Sequence, residues 1–412
     1  MNVTLISIGD ELLTGRTVNT NASWLGEQFA AVGHPVSTVL TLGDDRTLIA
    51  RAISDAADVS DFVVVTGGLG PTDDDVTREA ICDLLSCDMV INQEQGELIR
   101  IRFSSLGRTP NERSLRQARV PSACSVVPNH WGTAPGLFFT LAGCTVAVLP
   151  GVPHEMRELF SIILREQVRP AEGFTERVWL FYGVPESVLA HALEPIDPLL
   201  DDALGLAYLP AEGTIRLRLI RTNGDAETLE HFAEAEQRIE ELAGKWIISD
   251  RNEALWQTVG REFGQNGCTL AVAESCTGGM IGAALTSVPG SSNYFLGGVI
   301  AYANDVKEHV LGVDRETLET HGAVSEQVAL EMARGALDKV AADYSVAVTG
   351  IAGPEGGTEE KPVGTVWVAV ASKSVASARL FQLKGERDVI RRYTVNAGLA
   401  SVLQRMRDEQ RS

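Results

Sequence analysis

Two long stretches of this chain, one at each end, keep the same rhythm, and that rhythm restricts the fold more than any single motif does. A short apolar run is followed by an amphipathic stretch of helical length, then by another apolar run. In residues 1–168 the runs are 3–8, 36–40, 62–66, 125–127, 137–140 and 145–149, with helical patterns at 21–32, 47–57 and 76–85 between them. Strands alternating with helices predict a largely parallel sheet covered on both faces. Residues 250–412 repeat the alternation, with strands near Leu270, Gly298, 344–348 and 365–370. The intervening residues differ: 177–182 reads as a strand, 186–193 as a helix, 214–221 as an alternating strand, 226–242 as a long charged helix and 246–249 as a last strand. The expected architecture is α/β in three domains: 1–168, a small α+β module over 169–249, and 250–412.

At 412 residues each part is long enough to hold its own core. Lys and Arg number 35 against 55 Asp and Glu, a net charge of −20. Such a chain repels a phosphate backbone, so no nucleic-acid partner is expected. The six cysteines lack metal-ligand spacing and are expected to be reduced. Residues 2–8 read as a first strand rather than a leader, and no apolar run approaches the roughly 20 residues of a membrane span. The expected location is the cytoplasm, with no membrane partner.

The first chemical constellation follows the apolar run at 62–66. Gly67, Gly68 and Gly70 make a loop whose backbone N–H groups can approach a phosphate, with Thr72 beside them, and Asp73-Asp74-Asp75 come next. Carboxylates repel phosphate unless a divalent cation bridges the two. One of the three aspartates is expected to cap the helix that starts at Val76. Asp10, Glu11, Asp44 and Asp45 also stand at strand ends, where open α/β sheets place their sites. The candidate ligands of a divalent metal, magnesium or cobalt, are Asp10, Asp44, Asp74 and Asp75. Two rigid loops, 129–136 and 149–156, complete a pocket wall, and Glu155 either ligates metal or caps its helix.

The second constellation is Ala273-Glu274-Ser275-Cys276-Thr277-Gly278-Gly279, a strand-to-helix turn. It lifts a nucleophile from the sheet and leaves the helix N–H groups at Thr277, Gly278 and Gly279 free for an anion or oxyanion. Ser275 needs a base. His309 and His321 read as surface or capping residues, and Lys307 is the better candidate, because a partly buried lysine loses its charge readily. An exposed helix lysine is the plainer alternative. Cys276 is the rival nucleophile, and a route in which Ser275 only positions water stays open. Tyr302, Thr349, Gly350 and Arg391 complete the pocket, with Arg391 available to a substrate phosphate.

These motifs resemble known families. Residues 66–80 resemble the loop of the molybdopterin-binding MogA/MoaB-like fold, with Asp75 at that fold's functional aspartate. Together with Gly9–Leu13, 129–136 and 150–156, they resemble the N-terminal domain of the CinA family. That likeness implies a metal-dependent ADP-ribose pyrophosphatase yielding AMP and ribose 5-phosphate; molybdopterin binding is the alternative. Residues 273–279, 290–292, 302–307, 321–325 and 349–365 resemble PncC, the nicotinamide mononucleotide (NMN) deamidase, a domain that also ends CinA chains. That resemblance implies Ser275 as nucleophile, Lys307 as its activator, and Tyr302, Thr349 and Arg391 as substrate contacts, with no cofactor. The middle module resembles the KH-like linker of full-length CinA, but 169–249 has no Gly-x-x-Gly clamp for RNA. The whole predicts a homodimeric enzyme of pyridine-nucleotide salvage acting on NMN and ADP-ribose. A non-catalytic regulator of competence or DNA-damage responses is the other class.

Overall fold

The computed structural model describes residues 1–411 apart from Asn223. They form two compact units, Met1–Thr175 and a second drawn from Glu176–Arg221 and the residues from Asp225 on. No helix among them is long and apolar enough to cross a membrane.

In the first unit, β1 (Val3–Ile8), β2 (Val36–Leu42), β3 (Phe62–Thr66), β6 (Ser125–Val127), β7 (Gly136–Leu141) and β8 (Cys144–Leu149) form one sheet ordered β2-β1-β3-β8-β7-β6. A separate ribbon pairs β4 (Met89–Ile91) with β5 (Arg119–Pro121). The helices are α1 (Asp10–Leu13), α2 (Thr20–Ala31), α3 (Arg46–Ala57), α4 (Thr77–Leu85), α5 (Gln93–Ser105), α6 (Glu112–Leu115) and α7 (Pro153–Gln167). Alternate side chains of the central strands enter opposite cores, as the strand period of two requires. Ile6, Val63 and Val65 pack with Ile49 and Ile53 of α3 and Ile81 of α4. Leu5, Phe62 and Val64 pack with Leu25 and Phe29 of α2 and Phe160 of α7.

The sheet is parallel across β2-β1-β3-β8 but antiparallel at β8-β7-β6. The departure has a local cause. Ala142 and Gly143 both have positive φ (50° and 87°), the two-residue turn whose twist suits a hairpin. Two residues cannot carry a crossover connection.

In the second unit, β9 (Thr175–Tyr182), β10 (Leu204–Ala211), β11 (Thr214–Arg221) and β12 (Ile247–Ser249) form a sheet ordered β10-β11-β9-β12. It is backed by α8 (Glu186–Leu193) and α9 (Ala226–Ala243), with Trp179, Phe181, Leu217, Leu219, Phe232 and Ile239 in the core between. A larger sheet, ordered β14-β13-β15-β16-β17, contains β13 (Leu270–Glu274), β14 (Phe295–Ile300), β15 (Tyr344–Gly350), β16 (Thr365–Ser372) and β17 (Ala376–Gln382). Its helices are α10 (Leu255–Gln265), α11 (Met280–Thr286), α12 (Asn304–His309), α13 (Arg315–His321), α14 (Glu326–Val340) and α15 (Arg387–Arg411). Val259, Phe263, Ile281, Leu399 and Leu403 of α10, α11 and α15 cover one face. Val328, Met332 and Ala336 of α14 cover the other. β13 is parallel to both β14 and β15, so the carboxyl ends of three strands meet at one edge.

Candidate functional site

In the first unit, β3 ends at the glycine loop. Gly67 has φ 107°, and a Cβ there would lie 2.3 Å from Ile8 O, so only glycine lets the loop run this close to β1. The loop is tied to α4: Thr77 Oγ1 donates to Gly67 O (3.1 Å), and the buried Arg78 donates through Nη2 to Gly70 O (2.9 Å). A cleft of about 350 Å³ opens beside it, lined by Gly67, Gly68, Gly70, Glu11, Asp44, Asp74, Asp75 and Glu155.

The aspartates divide their labour differently from expectation. None caps the helix, whose N-cap is Val76 with no side-chain hydrogen bond. Asp73 turns away to Arg113 (3.1 Å) and Arg116. Asp75 accepts the backbone N–H of Thr72 (2.9 Å) and also its hydroxyl, which closes the loop on itself and places Thr72 and Asp75 in its framework. Asp74 remains at the cleft, its carboxyl held below the ordinary range by hydrogen bonds from Thr72 and its own backbone. Asp10 donates its backbone N–H to Asp44 (3.1 Å). The Asp44 carboxyl is raised, chiefly by burial, with the charges of Asp10, Glu11 and Asp74 adding to it.

Among the described residues no three His, Cys, Asp or Glu side chains are grouped to hold a metal, so there is no preformed cage. Magnesium-type sites commonly use only one or two carboxylates and take their remaining ligands from substrate phosphate and water. Asp44 and Asp74 at the cleft, with unneutralised like charge around Asp44, fit that arrangement.

Sequence reasoning passed over the residue that organises the far wall. Asn129, fully buried, donates to Ala134 O and Glu155 Oε2 (both 2.7 Å) and accepts the N–H groups of Trp131 and Gly132. Gln95 holds it from behind by accepting its backbone N–H (2.9 Å). Glu155 is therefore not a helix cap; it receives Asn129 beside the cleft, and Val152 occupies the N-cap. The available signal was an asparagine placed three residues before a glycine, an arrangement suited to an Asx turn.

In the second unit, the Ser275 N–H donates to Val348 O (3.0 Å) and Ser275 O accepts the Gly278 N–H (3.1 Å), which fixes the turn after β13. Gly278 and Gly279 take positive φ (61° and 99°). The helix terminus beyond is not free, contrary to the sequence expectation. Glu274, fully buried, accepts the N–H groups of Gly279 (2.9 Å), Ile281 (3.0 Å) and Gly282 (2.8 Å). With the Gly278 N–H spent on Ser275 O, two of the three proposed oxyanion donors are engaged within the turn. The acidic residue at the strand end occupies the anion position that a substrate was expected to fill.

Lys307 is not the exposed helix lysine of the plainer alternative: it is 1% exposed. Its Nζ donates to Ala301 O (2.7 Å) and Tyr302 O (3.1 Å) rather than to Ser275 Oγ. Burial lowers its pKa below the ordinary value of 10.5. Because Glu274 pairs with Ile300 and accepts the Ala301 N–H (2.8 Å), those two carbonyls lie at the same sheet edge as Ser275. Cys276 sits in the apolar core, its thiol pushed up to about 11 by burial first and the Glu274 charge second, so it is a poor thiolate.

Tyr302 is exposed, and its hydroxyl accepts from Arg387 Nη2 (3.1 Å) while Arg387 Nη1 donates to Gly353 O (2.7 Å). Thr349 is buried and donates to Ala323 O (2.7 Å); a Cβ at Gly350 would lie 2.6 Å from Val366 Cγ2. Arg391 donates through Nη2 to Thr277 O (2.9 Å). The hydroxyl of Thr277 and Nε of Arg391 are both buried without a hydrogen-bond partner.

The geometry defines an α/β protein with a glycine-loop cleft flanked by carboxylates in one unit and, in the other, a serine turn and a buried lysine at one sheet edge. Residues 4–170 match the family described as Probable molybdopterin binding domain, and residues 252–406 match the CinA C-terminal domain. A CinA-like protein of Geobacter metallireducens is 39% identical over 399 residues, covering 96% of each chain. One from Salinibacter ruber is 38% identical over 403 residues, covering 97% of this chain and 98% of its own. The crystal structure of the competence/damage inducible protein CihA from Agrobacterium tumefaciens, 43% identical, covers 36% of this chain and 92% of its own with a TM-score of 0.36. The chain belongs to the CinA family.

Proposed function

We propose that this protein is a bifunctional enzyme of pyridine-nucleotide salvage, and that its second unit converts NMN to nicotinate mononucleotide and ammonia. The observation that carries this reading is the buried Lys307. A neutral amine has two N–H bonds, which match the carbonyls of Ala301 and Tyr302, and its lone pair is then free to take the Ser275 proton. Ser275 Oγ attacks the carboxamide carbon, the carbon–nitrogen bond breaks, and ammonia leaves with a proton returned from Lys307. Water then cleaves the acyl-serine ester. Arg391, a part-exposed guanidinium held beside the turn by Thr277 O, is the natural receiver of the nucleotide's phosphate.

Ammonia release from NMN tests the assignment. Ser275→Ala is expected to lower the rate by about 10³-fold or more, and Lys307→Ala similarly, since residues that act as a unit fail together. Cys276→Ala should retain most activity. Loss only with Cys276→Ala would move the chemistry to the thiol, and binding of NMN without turnover would favour a regulatory protein.

For the first unit we infer ADP-ribose hydrolysis. Asp44 and Asp74 would hold a divalent ion against the diphosphate, and the ion, when bound, neutralises phosphate charge. The glycine loop receives the phosphate oxygens, and the Asn129–Glu155 pair shapes the opposite wall. AMP formation from ADP-ribose should require added magnesium or cobalt, stop with chelator, and fall by at least about 10²-fold in Asp44→Asn. Absence of AMP with either metal would leave molybdopterin-type binding as the role of this cleft.

A further inference from the structure

Three thiols gather outside both sites, at the end of α4 away from the glycine loop. Helix α4 stops at Ser86, which is left-handed (φ 50°, ψ 48°); the Ser86 N–H donates to Asp83 O (3.4 Å) and the Cys87 N–H to Cys82 O (3.1 Å). This pair of bonds is the Schellman ending, in which the side chain just past the left-handed residue folds onto the one three residues before the cap. An apolar pair usually makes that contact. Here both positions are cysteine, and their Sγ atoms are 4.0 Å apart. Both thiols are half-buried and line an open hollow of about 480 Å³ with Arg46, Asp83, Ser86 and Asp88. Cys124, also half-buried, is near enough for its thiol to feel both.

We propose that Cys82 and Cys87 are a reversible disulfide site, oxidised by low-molecular-weight disulfides of the glutathione type. The helix ending holds the two residues face to face, so closure needs each sulfur to move only about 1 Å to reach the ~2.05 Å bond length. Cys87 thiolate attacks one sulfur of the small disulfide, forming a mixed disulfide and releasing one small thiol. Cys82 thiolate then attacks Cys87 Sγ, forming the Cys82–Cys87 bond and releasing the second small thiol. Two protein thiols are oxidised, one small disulfide is reduced, and both protons end on the released thiols. Cys87 acts first because it lies in the loop, whereas burial, then the neighbouring Cys87, push the Cys82 thiol up to about 11. The three thiols do not form a preformed metal cage, as no group of His, Cys, Asp or Glu among the described residues does.

The test is oxidation of the full-length protein with oxidised glutathione, followed by alkylation, trypsin and mass spectrometry. Residues 79–100 contain both cysteines between cleavable arginines. The expected product is this peptide lighter by two hydrogens and unalkylated, restored to two alkylated cysteines by dithiothreitol, with Cys124 alkylated throughout. In Cys82→Ser, the resolving thiol is gone and glutathione should accumulate on Cys87, a gain that misfolding would not imitate. A wild-type product joining Cys124 to either thiol overturns the proposal. So does a glutathione adduct that never resolves, or two thiols that remain fully alkylated: the pair would then be small apolar side chains filling a helix ending.

Discussion

Glu274 at the end of β13 and Lys307 in α12 are buried ionisable side chains, and each is held by backbone groups. Glu274 serves three N–H donors with two oxygens; replacing one oxygen by an amide nitrogen leaves at least one donor unsatisfied. Glu274→Gln is therefore expected to destabilise the second unit by about 1–3 kcal/mol in urea unfolding and to lower NMN turnover by loosening the turn under Ser275. For Lys307 the sign follows from linkage. Its folded pKa lies below 10.5, so between that lowered value and 10.5 the unfolded chain binds more protons, and stability rises with pH. Wild type should gain stability relative to Lys307→Met as pH climbs through the lowered value toward 10.5, while the proposed NMN turnover rises as the lysine deprotonates. A flat stability difference would mean that the lysine titrates normally.

Among the elements, α14 shows how packing can reverse a local preference. Gly335 lies inside this helix, where alanine would ordinarily be favoured by about 1 kcal/mol. A Cβ there would fall 1.9 Å from Leu311 O, however, so Gly335→Ala should destabilise by about 1–3 kcal/mol through overpacking. A raised urea midpoint would show that the Leu311 segment can retreat. The strands that sequence reading passed over, β4, β5, β10 and β17, each pair with a neighbour on one side only. β10 contains Pro210, tolerable where one side of the strand is unpaired, and β17 alternates only partly between covered and open positions. Edge strands need satisfy only one neighbour and carry weak periodicity. The central strands β1, β3, β13 and β15, covered on both faces, were legible as continuous apolar runs.

For the whole molecule, each site is built within one compact unit. The two proposed activities should therefore separate: Ser275→Ala is expected to leave ADP-ribose hydrolysis unchanged, and Asp44→Asn to leave NMN deamidation within about twofold, because sites that share no groups act independently. Loss of both activities in either variant would reveal coupling. By itself the sequence determined the strand–helix alternation, the glycine loop after Thr66 and the serine turn after Glu274, since short-range sterics, side-chain periodicity and glycine's freedom act within a few residues. Only tertiary structure decided that Lys307 is buried, that Glu274 rather than a ligand fills the helix terminus, that Asp75 closes its own loop, and that β6–β8 run antiparallel. Those outcomes depend on how far a group is removed from water and which donor reaches it first. Lys307's burial is set by strands that meet only once the chain has folded, and Glu274's three N–H groups face it only because α11 docks against β13.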